Sequence, residues 1–301
     1  MKVILSLLLF RYKKVYSQIF LDSQIKEFLV KICVICGFFF NIGYANDYAH
    51  RIISLSTTAT EELYILGVQD RLVGCTIYCN RPKEAEKKEK VGTVMKADLE
   101  RVISLKPDLV IASGLSDPKQ MEKLKSLGIN VAYFSAPLSF SQLCDDFIRL
   151  GSLVGKEKKA KGIVNKAKKR VEKIRKETGA LSKPRVFIQI GTKPLWTVPG
   201  ETLQNDFIRF SGGINIAAEA KTGQYSLEEV LSQNPDVIII IEMGTLADVE
   251  KKNWQRFPTL SAVKRNKIYI IDAYSLCSPT PLSFPETLEE MAKILHECIL
   301  K

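Results

Sequence analysis

An internal repeat constrains this chain more than any other feature. Residues 98–111 (Asp98 to Ile111) align without gaps on residues 226–239 (Ser226 to Ile239), sharing Leu-Glu at 99–100 and 227–228 and Pro-Asp at 107–108 and 235–236. Each copy reads as a short helix followed by a strand. Asp98 or Ser226 caps the first turn, an acid follows within that turn, and proline stops the helix before a buried strand. Each half of the chain therefore carries the same helix-Pro-Asp-strand unit.

The flanking pattern agrees. Short apolar runs bounded by turn residues predict strands over 51–55, 72–75, 109–112 and 131–134, with helices around 61–66, 99–105, 119–127 and 140–154. The alternation restarts with strands over 185–190, 237–241 and 268–271 and a closing helix over 286–300. Strands alternating with helices give parallel sheets, so the expected class is α/β, in two lobes. Between them, no proline occurs from Pro137 to Pro184, and apolar residues recur at helical spacing for about 20 residues, or ~30 Å of helix. The predicted organisation is a signal peptide over 1–45, an N-terminal lobe over 46–154, a linker helix over 155–183 and a C-terminal lobe over 184–301.

The signal-peptide expectation rests on the apolar run that follows Lys31 and ends at Gly43-Tyr44-Ala45, small at both positions that determine cleavage. Cys36 follows Ile35 where a lipoprotein cleavage box needs a small residue, which favours a soluble periplasmic product over a lipid-anchored one. A translation start near Leu29 or Val30 would leave a compact signal of ordinary layout. Removing 1–45 takes out six Lys/Arg and two Asp/Glu and lowers the formal charge from +11 to +7. Much of that charge lies between Lys156 and Lys183, where Ile163, Val164, Ala167, Val171 and Ile174 form a helical stripe and the lysines fall opposite. The basic run is read as a solvated helix face, and no nucleic-acid partner is expected. Cys75 and Cys79 could pair or stand as apolar thiols. With only His50 and His296 available, no clustered metal site is expected.

On these residues the chain resembles the cobalamin and ferric-siderophore binding proteins of ABC importers, along residues 50–300. Four signatures in order carry the resemblance: Arg51-Ile52-Ile53-Ser54-Leu55, residues 99–111, Leu124-Lys125-Ser126-Leu127-Gly128-Ile129-Asn130-Val131, and residues 254–264 from Trp254 to Lys264. It implies a class III periplasmic binding protein of the helical-backbone type, with the ligand in the cleft between two lobes bridged by one helix. It further implies a periplasmic monomer with no cofactor of its own, which carries a metal chelate to a permease and ATPase complex.

The wording of residues 73–78 and 187–196 resembles pocket loops of the vitamin B12-binding branch, which sets Tyr78 and Trp196 at aromatic contacts with the ligand. Aromatic faces suit a broad planar macrocycle. Val94 and Ser113 stand where the corrinoid pattern has further large aromatics, and Leu276 replaces a basic residue. Tyr225 and Tyr274 are further candidates, as are Ser56, Thr57, Met95, Gly114 and Met243, which sit at carboxyl ends of predicted strands. Trp254 is assigned to structure. The resemblance also makes Glu100 and Glu228, at equivalent positions of the repeat, docking points for the permease.

Three alternatives are kept. An α/β enzyme lacks support, since no phosphate-cradling glycine motif, Walker sequence or Gly-x-Ser-x-Gly elbow follows a strand. A non-transport surface receptor is the second. The third is a ferric-siderophore or haem carrier; with Arg81 alone near a pocket loop, the basic grip that an anionic siderophore needs is thin.

Overall fold

The structure is a computed structural model that describes residues 48–242 and 247–296. The expected signal peptide, Met243 and Cys298 lie outside the described residues.

The first sheet is wholly parallel. It holds β1 (Ile52–Ser54), β2 (Leu72–Cys75), β3 (Leu109–Ser113) and β4 (Asn130–Phe134) in the order β2-β1-β3-β4. Around it lie α1 (Thr57–Leu66), α2 (Leu99–Ser104), α3 (Pro118–Ser126) and α4 (Phe140–Leu153). α5 (Glu157–Gly179) then leads to the second lobe, whose strands are β5 (Arg185–Gln189), β6 (Gly191–Thr192), β7 (Leu195–Trp196), β8 (Ile214–Asn215), β9 (Val237–Glu242) and β10 (Ile268–Asp272). Its main sheet is parallel in the order β10-β9-β5-β8, while β6 and β7 form a separate antiparallel hairpin. The helices of this lobe are α6 (Leu203–Phe210), α7 (Leu227–Gln233), α8 (Ala247–Gln255), α9 (Ser261–Lys264), α10 (Ala273–Cys277) and α11 (Phe284–His296).

The sequence repeat is a structural repeat down to its hydrogen bonds. Asp98 accepts from Arg101 N and Ser226 accepts from Glu229 N, both at 3.1 Å, and Glu229 returns a bond to Ser226 N. After each helix one residue turns left-handed, Lys106 at φ 47° and Asn234 at φ 44°, and delivers the Pro-Asp step. Asp108 then accepts from Arg51 N at 3.0 Å, and Asp236 from Arg185 N at 3.0 Å. The Arg51 and Arg185 guanidinium groups each donate to a carbonyl at the end of their repeat helix, Leu105 O and Gln233 O, both at 3.0 Å. Strand register follows, with Ile52 opposite Leu109 and Val186 opposite Val237.

Because side chains alternate along a strand, each sheet feeds two cores. Ile52 and Ile111 from the first sheet share one continuous core with Val186 and Ile239 from the second, while Ile53 and Val110 face a separate cluster, as do Phe187 and Ile238. The shared core runs through α5, whose buried stripe is Ala160, Val164, Ala167, Val171, Ile174 and Thr178. With 23 residues, α5 spans about 34 Å. It packs against α4 of the first lobe and α11 of the second, where Arg170 grips the Glu289 carboxylate through Nε at 2.6 Å and an NH2 group at 2.8 Å. A second joint is aromatic. Phe284 of α11 stacks on Phe140 of α4 at 4.4 Å and on Phe207 of α6 at 4.1 Å, and Phe140 N donates to Asp206 at 2.8 Å.

The elements expected from sequence do not include α6, α8, α10 or the β6-β7 hairpin, although α6 carries an apolar face of Leu203, Phe207 and Phe210 at helical spacing. They are short, and α8 is largely polar, so local propensity contributes little to them and tertiary packing contributes most.

Candidate ligand-binding site

In both sheets the strands run parallel, so their carboxyl ends gather at one edge, where loops leave them. Between these edges lies a cavity of about 560 Å³. The first lobe supplies the turn after β1 into α1 (Ser56 to Ala59), the loop after β3 (Ser113 to Leu115), the loop after β4 (Phe134 to Pro137) and two positions of α4, Leu143 and Asp146. The second lobe supplies Leu203 at the start of α6 and Cys277, Ser278 and Pro279 after α10.

The chemistry of this wall is mainly apolar, interrupted by hydroxyls and carboxyls. Ser56 caps α1, its hydroxyl accepting from Ala59 N at 3.2 Å. Ser113 holds the loop after β3, its hydroxyl accepting from Leu115 N at 3.2 Å. Glu62, one turn into α1, is 6% exposed and lines the cavity. Burial, then the charges of Asp146 and Glu61, holds its carboxyl well above the usual carboxylate range. Asp146 is paired with Arg149 at 3.2 Å, and the Arg149 guanidinium lies 3.7 Å over the Phe134 ring. Among the described residues that line the cavity, none is Lys, Arg or His.

Of the residues singled out from sequence, Ser56, Thr57 and Gly114 line this cavity. Tyr274 stands beside it on α10 and reaches the other lobe, its hydroxyl donating to Asn80 Oδ1 at 2.6 Å and to Tyr78 O at 3.3 Å. Arg81 lies 4.9 Å over the Tyr274 ring and 3.8 Å from Glu61. Tyr78 itself is 53% exposed on the same loop, and Met95 is 63% exposed. Trp196, on β7, rests against glycines: a Cβ on Gly223 would meet its ring at 2.5 Å and one on Gly191 at 3.1 Å. A side chain on Gly223 would displace the ring from this seat, in which Trp196 is 42% exposed. Tyr225 turns inward, packing against Phe187 at 6.0 Å and donating to Ile216 O at 3.2 Å. Trp254 is interior, its Nε1 donating to Gln189 at 2.6 Å. Glu100 and Glu228 are exposed in the first turns of α2 and α7, and neither makes an ion pair among the described residues.

Cys75 and Cys79 are free, buried thiols. Cys79 is held by Cys75 and by the Thr60 and Thr76 hydroxyls, the two hydroxyls each at 3.2 Å, and these hydrogen bonds pull its pKa below the ordinary thiol value against the effect of burial. The partner thiol of Cys75 is pushed up. The effect is to tie the loop after β2, which carries Tyr78, to α1.

Sequence reasoning missed Glu62, Asp146, Leu203 and Cys277. A signal existed for the first two. Glu62 falls on the apolar stripe of α1 between Ala59 and Leu66, and Asp146 beside that of α4 between Leu143 and Phe147. An acid on a buried stripe is uncommon unless something pairs with it.

The family model of the periplasmic binding proteins matches residues 52–275. Vitamin B12-binding protein of Vibrio parahaemolyticus is 29% identical over 263 residues, covering 86% of this chain and 94% of that protein. Among solved structures, the periplasmic vitamin B12 binding protein of Vibrio cholerae is 28% identical, with a TM-score of 0.69 over 82% of this chain and 96% of that one. A possible iron-binding, periplasmic solute-binding protein of Staphylococcus epidermidis is 30% identical, with a TM-score of 0.73 over 82% of this chain and 99% of that one.

Proposed function

Because the chain belongs to the periplasmic binding protein family, we propose that it is the substrate-binding protein of an ABC importer and carries a corrinoid in the cavity between its lobes. That cavity carries the reading. It is open to a bulky guest, walled by both lobes, mainly apolar, and free of cationic side chains among its described lining residues. A carrier for an anionic siderophore calls for guanidinium forks, and this wall offers carboxyls instead. The vitamin B12-binding relatives point the same way.

Tyr78, Trp196 and Tyr274 would supply flat contact area for a macrocycle that extends beyond the cavity wall, where Phe134 is already in place. Glu100 and Glu228 each present a carboxylate from the equivalent helix turn of one lobe, as docking points for a permease that touches both lobes. Export with loss of residues 1–45, into the periplasm and without a lipid anchor, completes the proposal on the strength of the apolar run ending at Ala45. The family is one of binding proteins, and no chemical step is assigned. A haem carrier is the second reading, favoured by the exposed Cys277 thiol in the cavity wall, a soft ligand for an iron centre.

Calorimetric titration of the purified protein with cyanocobalamin, cobinamide, haem and ferric siderophores decides between them. Submicromolar binding of a corrinoid and weaker binding of the rest is expected; tight binding of haem or an anionic siderophore in its place would overturn the corrinoid reading.

A further inference from the structure

The cavity retains a group that is expensive to keep. Glu62 is 6% exposed, on the face of α1 that also buries Ala59, Leu63 and Leu66, and its carboxyl makes no hydrogen bond or ion pair among the described residues. Glutamate is almost never this buried without a partner, because desolvation of an unpaired carboxyl is costly. Two guanidinium groups of this region face other carboxylates: Arg81 stands 3.8 Å from Glu61, and Arg149 3.2 Å from Asp146. The remaining direction open to Glu62 is the cavity that it lines with Asp146.

We propose that Glu62 is a ligand-recognition residue, whose carboxyl hydrogen-bonds an N–H donor on the rim of the bound molecule and which, with Asp146 beside it, turns away a ligand that brings a carboxylate to that point. The inference rests on the reading of this cavity as the ligand site. A carboxyl can accept from an amide N–H in either protonation state, and when protonated it also donates to the amide oxygen, so an amide satisfies it fully. A ligand carboxylate offers no N–H and brings a further negative charge beside Asp146 and Glu61, the charges that already push the Glu62 pKa up after burial. The preferred guest is therefore a neutral, amide-rimmed chelate, or one bearing an ammonium group, the two sources of the same N–H chemistry.

The test uses matched probes. Dicyanocobinamide carries amides on its rim, and dicyanocobyrinic acid is the same macrocycle with carboxylates in their place. The parent protein should bind the first at least about tenfold more tightly than the second, the scale of one hydrogen bond to a charged group. Glu62→Leu should lose about tenfold for the amide form and narrow the gap, whereas Glu62→Gln, which keeps an acceptor, should hold amide binding within about twofold. Asp146→Asn is a second variant away from α1 that should narrow the gap by improving carboxylate binding. Circular dichroism melts confirm folding of each. Equal affinity of the parent for both corrinoids, or a ratio unchanged in Glu62→Leu, Glu62→Gln and Asp146→Asn, would overturn the proposal. A second pair, a ferric trihydroxamate with a free ammonium and an anionic ferric triscatecholate, separates the two readings. If corrinoids fail to bind but the ammonium chelate is preferred and Glu62→Leu erases that preference, the corrinoid function falls and the role of Glu62 stands.

Discussion

The Tyr274 hydroxyl donates to Asn80 Oδ1 at 2.6 Å across 194 positions of sequence, joining the helix after the last strand of one sheet to a loop of the other. It is a side-chain clasp between the two lobes. α5 and the Phe140–Phe284 stack hold the lobes elsewhere.

Tyr274→Phe keeps the ring under Arg81 and removes the hydrogen bond. One such bond is worth about 1 kcal/mol net, or about fivefold in the opening equilibrium. Stopped-flow ligand release should accelerate by that factor while the melting temperature stays within a degree or two. A release rate equal to that of the parent would show that the clasp does not gate the cleft.

Phe284 is fully buried and stacked on rings from both lobes. Phe284→Ala should cost about 3–5 kcal/mol, the usual price of a large core truncation. Urea denaturation reads it, and a loss below about 1 kcal/mol would mean that the joint collapses around the missing ring.

Glu62 also makes stability depend on pH. Its native carboxyl binds its proton more tightly than in the unfolded chain, for reasons of burial first and of Asp146 and Glu61 next. Above the ordinary carboxylate pKa the folded state therefore holds more protons than the unfolded one, so stability falls as pH rises through that window. Melting curves of the parent and Glu62→Gln across this range should diverge, the parent losing ground as pH rises. Parallel curves would place the carboxyl in a far wetter setting.

Glu100 and Glu228 complement the dipoles of short helices, which is worth about 0.3–1 kcal/mol and needs no partner. As exposed charges on the two lobes they should govern association more than folding. Glu100→Ala with Glu228→Ala should weaken binding to the cognate permease complex, steeply at low salt, while ligand affinity and melting temperature hold. Loss of stability alone would leave them as dipole partners.

Much of the architecture was legible because it is local. Capping by Asp98 and Ser226, the Pro-Asp step after each repeat helix and the apolar strands are decided by neighbours a few residues away. The long apolar stripe of α5 is of the same kind. The loops at strand ends are where a parallel sheet is expected to hold a ligand, and Ser56, Thr57 and Gly114 of those loops line the cavity.

Side-chain direction at the cleft was another matter. Tyr225 and Tyr274 looked alike in sequence, yet Tyr225 spends its hydroxyl on Ile216 O within its own lobe and Tyr274 reaches across to Asn80. Glu62 lies on the apolar stripe of α1, a local signal of burial, but the packing of α1 against the rest of the lobe is what sets it in the cavity wall. By itself, the sequence determined the repeating α/β units and the helix between them, since backbone propensity and periodicity act over a few residues. Which polar groups meet in the cleft was decided by tertiary structure alone, because burial and charge at a point depend on elements brought together from distant parts of the chain.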